Sequence, residues 1–373
     1  MPIWLSRGFS AKATPILAAL LILIAVLPAA PLSASPLRAA SPPNHRRVVP
    51  APTAESLFIK VLQADDLFSY QGRQITTYWR AGRTTEVRVF HRPLDCQRIV
   101  YLNPESQRGR LLVSDGRQQW QFDPRRRELR HRRLSPGALD NDDLLSYTLL
   151  RANYLLDVQP QPRTWADRKV YLVTIKHPQG HTLARRFWVD AGSGLILKRE
   201  TYRDDGKLAV TVAFSDIAYR PSPDVAGLFN LSALARTRGV HVIEAPSPQE
   251  MPLPLSEARS QLGGMAYVPS TLSGYRLVGA SSTVVGRKTL LHLRYSDGLN
   301  LVSLFEQPRT QPRRPTLVRG MRATRIGPVA GYVSHRASLT TLNWDTATLN
   351  VTLIGELGAV TMRALALTAV GGK

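Results

Sequence analysis

Alternating apolar and polar residues, interrupted by tight-turn dipeptides, constrain the fold of this chain more than any other feature. Val87 and Val89 alternate with charged residues, and a period of two places every second side chain on the same face of a sheet. Asp115-Gly116 and Asp205-Gly206 each separate two such segments, and an Asp-Gly pair readily adopts the positive φ angles of a two-residue hairpin turn. The sequence therefore predicts antiparallel strands joined by hairpins.

Two further segments have the spacing of helices. Residues 139–156 contain leucines at helix-like intervals. Thr53 can cap another helix, whose apolar stripe is formed by Leu57, Phe58, Val61 and Leu62. An antiparallel sheet with helices on one face has a concave apolar surface that core side chains or a ligand must fill. We therefore predict an α+β fold in which an open antiparallel half-barrel is covered by helices.

The length of 373 residues exceeds what one hydrophobic core usually serves. Prolines between residues 221 and 254 bracket a segment of weak periodicity, which is typical of a linker. Beyond it, several alternating segments and a final helix predict a smaller α+β domain, in which the helix faces the core with Val360, Ala364 and Leu367. The predicted divisions are a signal peptide (1–34), a flexible linker (35–52), an amino-terminal domain (53–222), a second linker (223–254) and a carboxy-terminal domain (255–373).

The first residues indicate export. Arg7 and Lys12 precede an apolar run from Ile16 to Leu27, and small residues follow as far as Ala34. This run is shorter than the roughly 20 residues that a membrane-spanning helix needs. We expect a cleavable signal peptide and a periplasmic protein, with a membrane anchor as the alternative if the leader is not cut.

The net charge of +22 favours anionic partners, although a GC-rich genome would also enrich arginine. Export argues against nucleic acid, which leaves anionic lipid or an acidic protein segment. The densest basic cluster is the predicted anion site, and a solvated hairpin is its alternative interpretation. This arginine cluster consists of Arg125, Arg126, Arg127, Arg130, Arg132 and Arg133.

The predicted concave surface is the candidate site for a lipid, because it combines the apolar residues of several strands with those of the covering helix. We assign to it Ile75, Val87, Val89, Leu111, Val113, Trp120, Phe122, Leu144 and Leu145.

No set of residues has the spacing that catalysis or metal binding requires. Gly192-Ser193-Gly194 lacks the residue order of a nucleophile elbow. Asp140, Asp142 and Asp143 are not followed by the glycine and glutamate of a calcium loop. Cys96 is the only cysteine, which excludes an intrachain disulfide and a cysteine-based metal cluster. We therefore expect a non-enzymatic protein without cofactor or metal.

Several motifs resemble those of one family. Phe187-Trp188-Val189-Asp190, with the run from Gly194 to Lys198, and Val113-Ser114-Asp115-Gly116, with the run from Trp120 to Pro124, are similar to motifs in the amino-terminal domain of the RseB/MucB family. That domain shares its half-barrel with LolA-like lipoprotein carriers. The segment Trp165-Ala166-Asp167-Arg168 is similar to an Ala-Gly-Arg motif of the family, but Asp167 stands where the family usually has glycine. Tyr295-Ser296-Asp297-Gly298 resembles the second domain of the same family.

This resemblance implies a periplasmic regulator. Members of the family bind the extracytoplasmic segment of a membrane-bound anti-sigma factor, shield it from proteolysis and release it when they sense lipid-type ligands. A lipid or lipoprotein carrier and an exported enzyme are the alternatives. The second domain favours the regulator, because simple carriers of the superfamily consist of the first module alone. The sequence leaves the oligomeric state open.

Overall fold

The computed structural model describes residues 51–134, 143–219, 227–244, 251–285, 288–309, 321–336 and 339–371. Within these ranges the chain forms two sheets, each with its own helices, in agreement with the predicted α+β architecture of a half-barrel and a smaller second domain. The predicted signal peptide, and all but the last two residues of the linker after it, lie outside the described residues.

The first domain is built on an open sheet of 13 strands. All paired strands in it are antiparallel except β13 and β6. The spatial order is β13-β6-β5-β4-β3-β2-β1-β12-β11-β10-β9-β7, and β8 also pairs with β9. The strands are β1 (Tyr70–Tyr78), β2 (Arg83–Arg92), β3 (Cys96–Asn103), β4 (Leu111–Asp115), β5 (Gln118–Asp123), β6 (Glu128–Arg133), β7 (Leu155–Val158), β8 (Arg163–Trp165), β9 (Arg168–Lys176), β10 (Leu183–Asp190), β11 (Ile196–Tyr202), β12 (Leu208–Tyr219) and β13 (His241–Glu244).

The predicted turn and cap residues have the expected geometry. Gly116 has a φ of +86°, and Asp115 Oδ1 accepts hydrogen bonds from the backbone N–H groups of Arg117 and Gln118 at 2.9 and 2.7 Å. Helix α1 (Ala54–Leu67) begins after Thr53, whose hydroxyl accepts a hydrogen bond from the Ser56 N–H at 3.1 Å. Both local motifs formed as the sequence predicts, because their stabilising hydrogen bonds lie within a few residues.

Helix α1 packs against one face of the first sheet, which we call the inner face. Tyr70 donates a hydrogen bond from its hydroxyl to Asp65 Oδ1 on α1 at 3.1 Å. Leu57 of the same helix shares a buried cluster with Val173 and Phe187. The inner face is therefore the one that carries Tyr70, Val173 and Phe187, and the opposite face is the outer face.

The predicted linker over residues 223–254 contains ordered structure in its described part. Helix α3 (Ser232–Ala235) and β13 lie within it, and β13 extends the sheet beside β6. Phe229 and Leu231 are buried with Val113 and Trp120. Residues 227–244 thus pack on the outer face. Their periodicity is weak because each element is too short to repeat an apolar position.

The helix predicted over residues 139–156 is shorter in the structure. Helix α2 (Asp143–Asn153) ends where strand β7 begins, and residues 139–142 lie outside the described part of the chain. Leu155 and Leu156 belong to β7, which pairs with β9. The extension of the helix to residue 156 is wrong, because two consecutive leucines fit a helix and a strand equally well and only pairing with β9 distinguishes them.

The second domain is a sheet of nine strands with helices α4 (Leu255–Ala258) and α5 (Ala359–Gly371). The order is β14-β16-β17-β18-β22-β21-β20-β19, and β15 also pairs with β16. The strands are β14 (Met251–Leu253), β15 (Thr271–Leu272), β16 (Tyr275–Val285), β17 (Lys288–Ser296), β18 (Leu301–Pro308), β19 (Arg322–Ile326), β20 (Val329–Arg336), β21 (Leu339–Asp345) and β22 (Leu349–Gly355).

The final helix forms, but the predicted inner stripe is wrong. Val360 is 80% exposed and Leu367 is 42% exposed. The core-facing residues are instead Met362, Leu365 and Ala366. The helix is apolar on nearly all sides, so its sequence does not distinguish one face from another, and the face is chosen by packing against the sheet.

One carboxyl group lies inside the core of the second domain. Glu306 on β18 is 1% exposed, and its cross-strand neighbours Leu291 and Val351 are both buried. The backbone N–H of Tyr267 donates a hydrogen bond to Glu306 Oε2 at 3.0 Å. Burial raises the pKa of Glu306 to about 7, because the ionised form loses its hydration.

We expect this carboxyl to make the stability of the protein depend on pH. The folded-state pKa of Glu306 is about 7, which lies above the ordinary value of 4.5. The protonated carboxyl therefore makes its full contribution to the free energy of unfolding below pH 4.5, and this contribution is lost as the pH rises to about 7. The loss amounts to roughly 3 kcal/mol. Glu306→Gln should therefore be more stable than the wild type at pH 8. Urea unfolding of both proteins between pH 4.5 and pH 8 measures this, and identical pH profiles would contradict it.

Candidate functional site

The second domain docks on the inner face of the first domain through the turn between β17 and β18. Leu299 in this turn joins the buried cluster that contains Leu57, Leu150 and Tyr154. Gly298 has a φ of +91°, and a Cβ atom on it would lie 2.1 Å from the backbone nitrogen of Leu150 on α2. Only glycine permits both this conformation and this approach.

A polar network surrounds the same turn. Tyr154 donates a hydrogen bond from its hydroxyl to Asp297 Oδ2 at 2.6 Å, and Asn153 Nδ2 donates to the Asp297 carbonyl at 3.0 Å. Arg185 Nη2 donates to Asn300 Oδ1 at 2.6 Å. Burial raises the pKa of Tyr154, and the nearby charge of Asp297 raises it further. The tyrosine therefore stays protonated and acts as the donor.

Charged groups of the two domains also influence each other. Arg199 on β11 is partly buried on the inner face. The pKa of its guanidinium is lowered to about 10, mainly by burial and also by the charge of Arg185, while the charges of Glu356 and Tyr78 oppose this shift. Glu356 belongs to the segment between β22 and α5 and also raises the pKa of Tyr78, after the larger effect of burial.

A further contact joins the first domain to the amino-terminal end of α5 in the second domain. Asp204 lies in the hairpin turn between β11 and β12, and its Oδ2 accepts a hydrogen bond from the Thr361 hydroxyl in the first turn of α5 at 2.6 Å. A Cβ atom on Gly358 would lie 2.8 Å from the same oxygen. A carboxylate is favourable at this end of a helix, where the backbone N–H groups point outward.

An apolar cavity lies between α1 and the inner face, next to the docked turn. The space left between these side chains is about 20 Å³, which is room for about one water molecule, so a larger guest would have to move the lining. Its lining is formed entirely by apolar residues, namely Ala54, Leu57, Phe58, Val61, Leu156, Val173, Ile175, Phe187, Val189 and Ile196.

The strand register separates the residues predicted to form one lipid-binding surface. Val89 lies opposite Ile99, which lies opposite Leu112, whereas Val113 lies opposite Arg98. Neighbouring residues in a strand point to opposite faces, so Val89 and Val113 are on different sides of the sheet. Their assignment to one surface needs correction, because alternation determines the faces within a strand but not how two strands are aligned.

By the same register, Val87 joins Val89 on the inner face, in the cluster below the second half of α1. The other strand residues of the predicted set lie on the outer face, and they are Ile75, Leu111, Val113, Trp120 and Phe122. Leu145 is half-buried on α2, and the side chain of Leu144 lies outside the described part of the structure.

None of the residues that line the cavity was in the predicted site. Phe187 and Val189 belong to a motif that the sequence analysis used only for the family resemblance. The stripe of α1 was predicted to face the core but not to line a cavity. Alternation in the strand and helical spacing in α1 predicted that both sets of residues are buried. A cavity between two elements, however, leaves no pattern in the sequence of either element.

The arginine cluster lies at the hairpin between β5 and β6. Arg125 Nη2 donates to the Glu105 carbonyl at 2.6 Å, and Arg127 Nη2 donates to the Arg238 carbonyl at 2.7 Å. Arg130 binds Glu128, and Arg132 Nε donates to Gln119 Oε1 at 2.9 Å. Arg126 and Arg133 are exposed. Several of these side chains therefore stabilise the hairpin and its neighbours.

In the part of the chain that the structure describes, histidine, cysteine and acidic side chains do not gather into a group suited to a metal ion. Among the same residues, the helices are too short or too polar to cross a membrane.

Gly298→Ala should weaken the docking of the second domain. The new methyl group would meet the Leu150 backbone at a φ of +91°, and backbone strain of this kind costs about 1–2 kcal/mol before any clash. Gly274→Ala is a matched control, because Gly274 has a φ of +90° and open space around its Cβ position. We expect calorimetry to show a clearly larger loss of stability for Gly298→Ala. Equal losses would contradict this account of the turn.

Comparison with known proteins identifies the architecture. Residues 53–234 match the model of the MucB/RseB N-terminal domain, whereas comparison with curated proteins finds no significant match. The fold is similar to the complex of Pseudomonas aeruginosa MucA and MucB, with a TM-score of 0.50 and 18% identity over 83% of this chain and 96% of that chain.

Two further solved structures are less similar. MucB in complex with MucA(peri) has a TM-score of 0.49 and 17% identity over 85% of this chain and 98% of that chain. A LolA superfamily protein from Nitrosomonas europaea has a TM-score of 0.23 and 17% identity over 48% of this chain and 98% of that chain.

The matched range begins at the cap of α1 and ends in α3, so it includes the residues after β12 that pack on the outer face. The structural likeness to MucB extends beyond this range into the second domain. Residues 53–234 therefore match the MucB/RseB amino-terminal domain, and the fold of the chain is similar to that of MucB.

Proposed function

We propose that this protein is a periplasmic, non-enzymatic regulator that binds the extracytoplasmic segment of a membrane-bound anti-sigma factor in a sigma-E envelope stress response. The observation that carries the proposal is the MucB-type arrangement of both domains, since the similar MucB chain was solved together with MucA. The sequence features of a cleavable leader support export.

The proposal includes a lipid-type ligand that controls this binding. The apolar lining below α1 supports it, because a chain that moved α1 away from the sheet would meet only apolar side chains. Leu299 of the second domain packs in the cluster to which the cavity walls Leu57 and Phe187 belong. A ligand that displaced these walls would therefore act directly on the docking of the second domain.

A lipid or lipoprotein carrier is the second candidate, and the same cavity favours it. Transfer of a cargo requires access to the inner face. In this structure the second domain contacts that face through Asp297 and Asn300 of the same turn. This contact favours regulation over simple transport.

Binding of the partner is the direct test. We expect residues 41–373 to bind the periplasmic segment of the anti-sigma factor encoded beside the cognate sigma factor, with a dissociation constant that titration calorimetry can measure. A scrambled segment of equal charge is the control, because a net charge of +22 attracts acidic peptides without specificity. Equal binding of both segments, or of neither, would contradict the proposal.

Blocking the cavity should abolish lipid uptake. Ala54 belongs to the lining and is only partly buried, so the ring of Ala54→Trp would cover the lining from outside and hinder entry of a chain. Glu55→Trp is the matched control, because Glu55 is exposed on the same turn of α1. Native mass spectrometry of each protein purified from a periplasm should show bound lipid in the control and at least about tenfold less in Ala54→Trp. Equal loading of both variants would exclude the cavity as the lipid site.

A further inference from the structure

The first sheet ends in a strand with an open edge. Among the described residues, β13 is the last strand in the spatial order of this sheet, and its paired neighbour is β6. The backbone N–H of His241 donates to the carbonyl of Arg127, just before β6, at 2.8 Å. Successive N–H groups of a strand point to opposite edges, so the N–H and C=O groups of Val242 and Glu244 point away from β6. We call this side of β13 the open edge.

The side chains along the open edge are accessible. All residues of β13 are exposed, and Val242 and Ile243 are 43% and 41% exposed. In the register with β6, Val242 lies beside Leu129 and Ile243 lies beside Arg130. The two apolar residues of β13 therefore stand on opposite faces of the sheet. A strand added at this edge would cover an apolar side chain on each face.

Two turns that carry arginines meet where β13 begins. Arg127, in the turn between β5 and β6, donates from Nη2 to the carbonyl of Arg238, in the turn between α3 and β13, at 2.7 Å. A carbonyl has no net charge, so this contact leaves the charge of Arg127 unbalanced. Arg126 and Arg236 are exposed in the same two turns. In the part of the chain that the structure describes, no carboxylate forms an ion pair with these four arginines. The beginning of the open edge is therefore cationic.

These charges decide which kind of strand the open edge can accept. Many proteins protect an open edge by keeping it short or charged, and β13 has only 4 residues. A second copy of this chain would carry the same arginines to the edge, and like charges facing each other oppose association. An extended segment rich in aspartate and glutamate would instead be attracted to the two arginine-bearing turns.

We propose that the open edge of β13 binds an extended acidic segment of a partner protein, which adds one strand to the first sheet. Backbone hydrogen bonds to Val242 and Glu244 hold the added strand, and the arginines of the two turns select its charge. The open edge lies at the opposite end of the sheet from β9 and β7. The inference goes beyond the proposed function, because it does not depend on which protein carries the segment.

The test measures the binding of labelled synthetic peptides to residues 41–373 by fluorescence anisotropy. The probe is a peptide in which several glutamates precede alternating valine and threonine. The matched control peptide has the same sequence and charge, but its valines and threonines are N-methylated, so it lacks the N–H groups that a strand donates. We expect the control peptide to bind at least about tenfold more weakly than the probe, because the backbone hydrogen bonds are lost.

Val242→Pro tests the edge from the side of the protein. The N–H of Val242 points away from β6, so proline removes a donor of the open edge and leaves the pairing with β6 in place. Val242→Pro should weaken binding of the probe at least about fivefold, whereas Val242→Ala, which keeps the N–H, should weaken it about twofold at most. The N-methylated peptide decides the question if Val242→Pro does not fold.

A second pair of variants tests the charge. Arg236→Gln combined with Arg238→Gln should weaken binding of the probe at least about threefold, because two cations beside the glutamates are removed. Arg88→Gln is the matched control, because Arg88 is exposed on the outer face of the same sheet, away from β13. It should bind the probe like the wild type.

Three outcomes would overturn the inference. In the first, the wild type does not bind the probe. In the second, the N-methylated peptide binds as tightly as the probe, which would mean that the arginines attract acidic peptides without addition of a strand. In the third, sedimentation shows a wild-type dimer that Val242→Pro abolishes, which would make a second copy of this chain the occupant of the edge. Binding of the anti-sigma segment, measured on the same preparations, tests the proposed function separately. A failure there would contradict the proposed function and leave the open edge as a binding site.

Discussion

The inner face of the open sheet is apolar and must be covered, and the contact between the two domains depends on how that covering is shared. Helix α1 covers part of the inner face with Leu57 and Phe58, and α2 brings Leu150 into the same cluster. The second domain adds Leu299 to it. Because three separate elements cover one apolar face, a change in any of them alters the packing of the other two.

The buried polar network gives this contact its specificity. Asp297 is 5% exposed, and it is satisfied by Tyr154 of the first domain and by backbone N–H groups of its own turn. Separating the domains would leave these groups without their partners until water replaced them. Such networks discriminate strongly against imperfect alignment, because a buried polar group without a partner costs about 1–3 kcal/mol. The second domain is therefore held in one register on the inner face.

The same surface brings several contacts between the domains together. Apolar residues line the gap below α1, Leu299 of the second domain belongs to the cluster beside it, and Arg185 donates to Asn300. A displacement of this lining would therefore act directly on groups that the second domain contacts.

Local structure was predictable because its causes are local. The cap at Thr53, the hairpin at Asp115-Gly116 and the alternation at Val87 and Val89 depend on neighbouring residues, and each formed as expected. The α+β class and the open half-barrel followed from these elements. The length, the proline-rich segment and the alternating runs after it predicted a second α+β domain, and the family motifs indicated the same division.

The site could not be predicted in the same way. The sequence by itself determined the strands, the turns, the helix start and the apolar residues that a sheet would bury. Only the tertiary structure decided that Val89 and Val113 lie on opposite faces, that α5 buries Met362 rather than Val360, and that Arg185 meets Asn300 from a distant segment. The physical reason is that alternation and helical spacing describe one element at a time, whereas register, helix orientation and domain docking are set by the packing of several elements together.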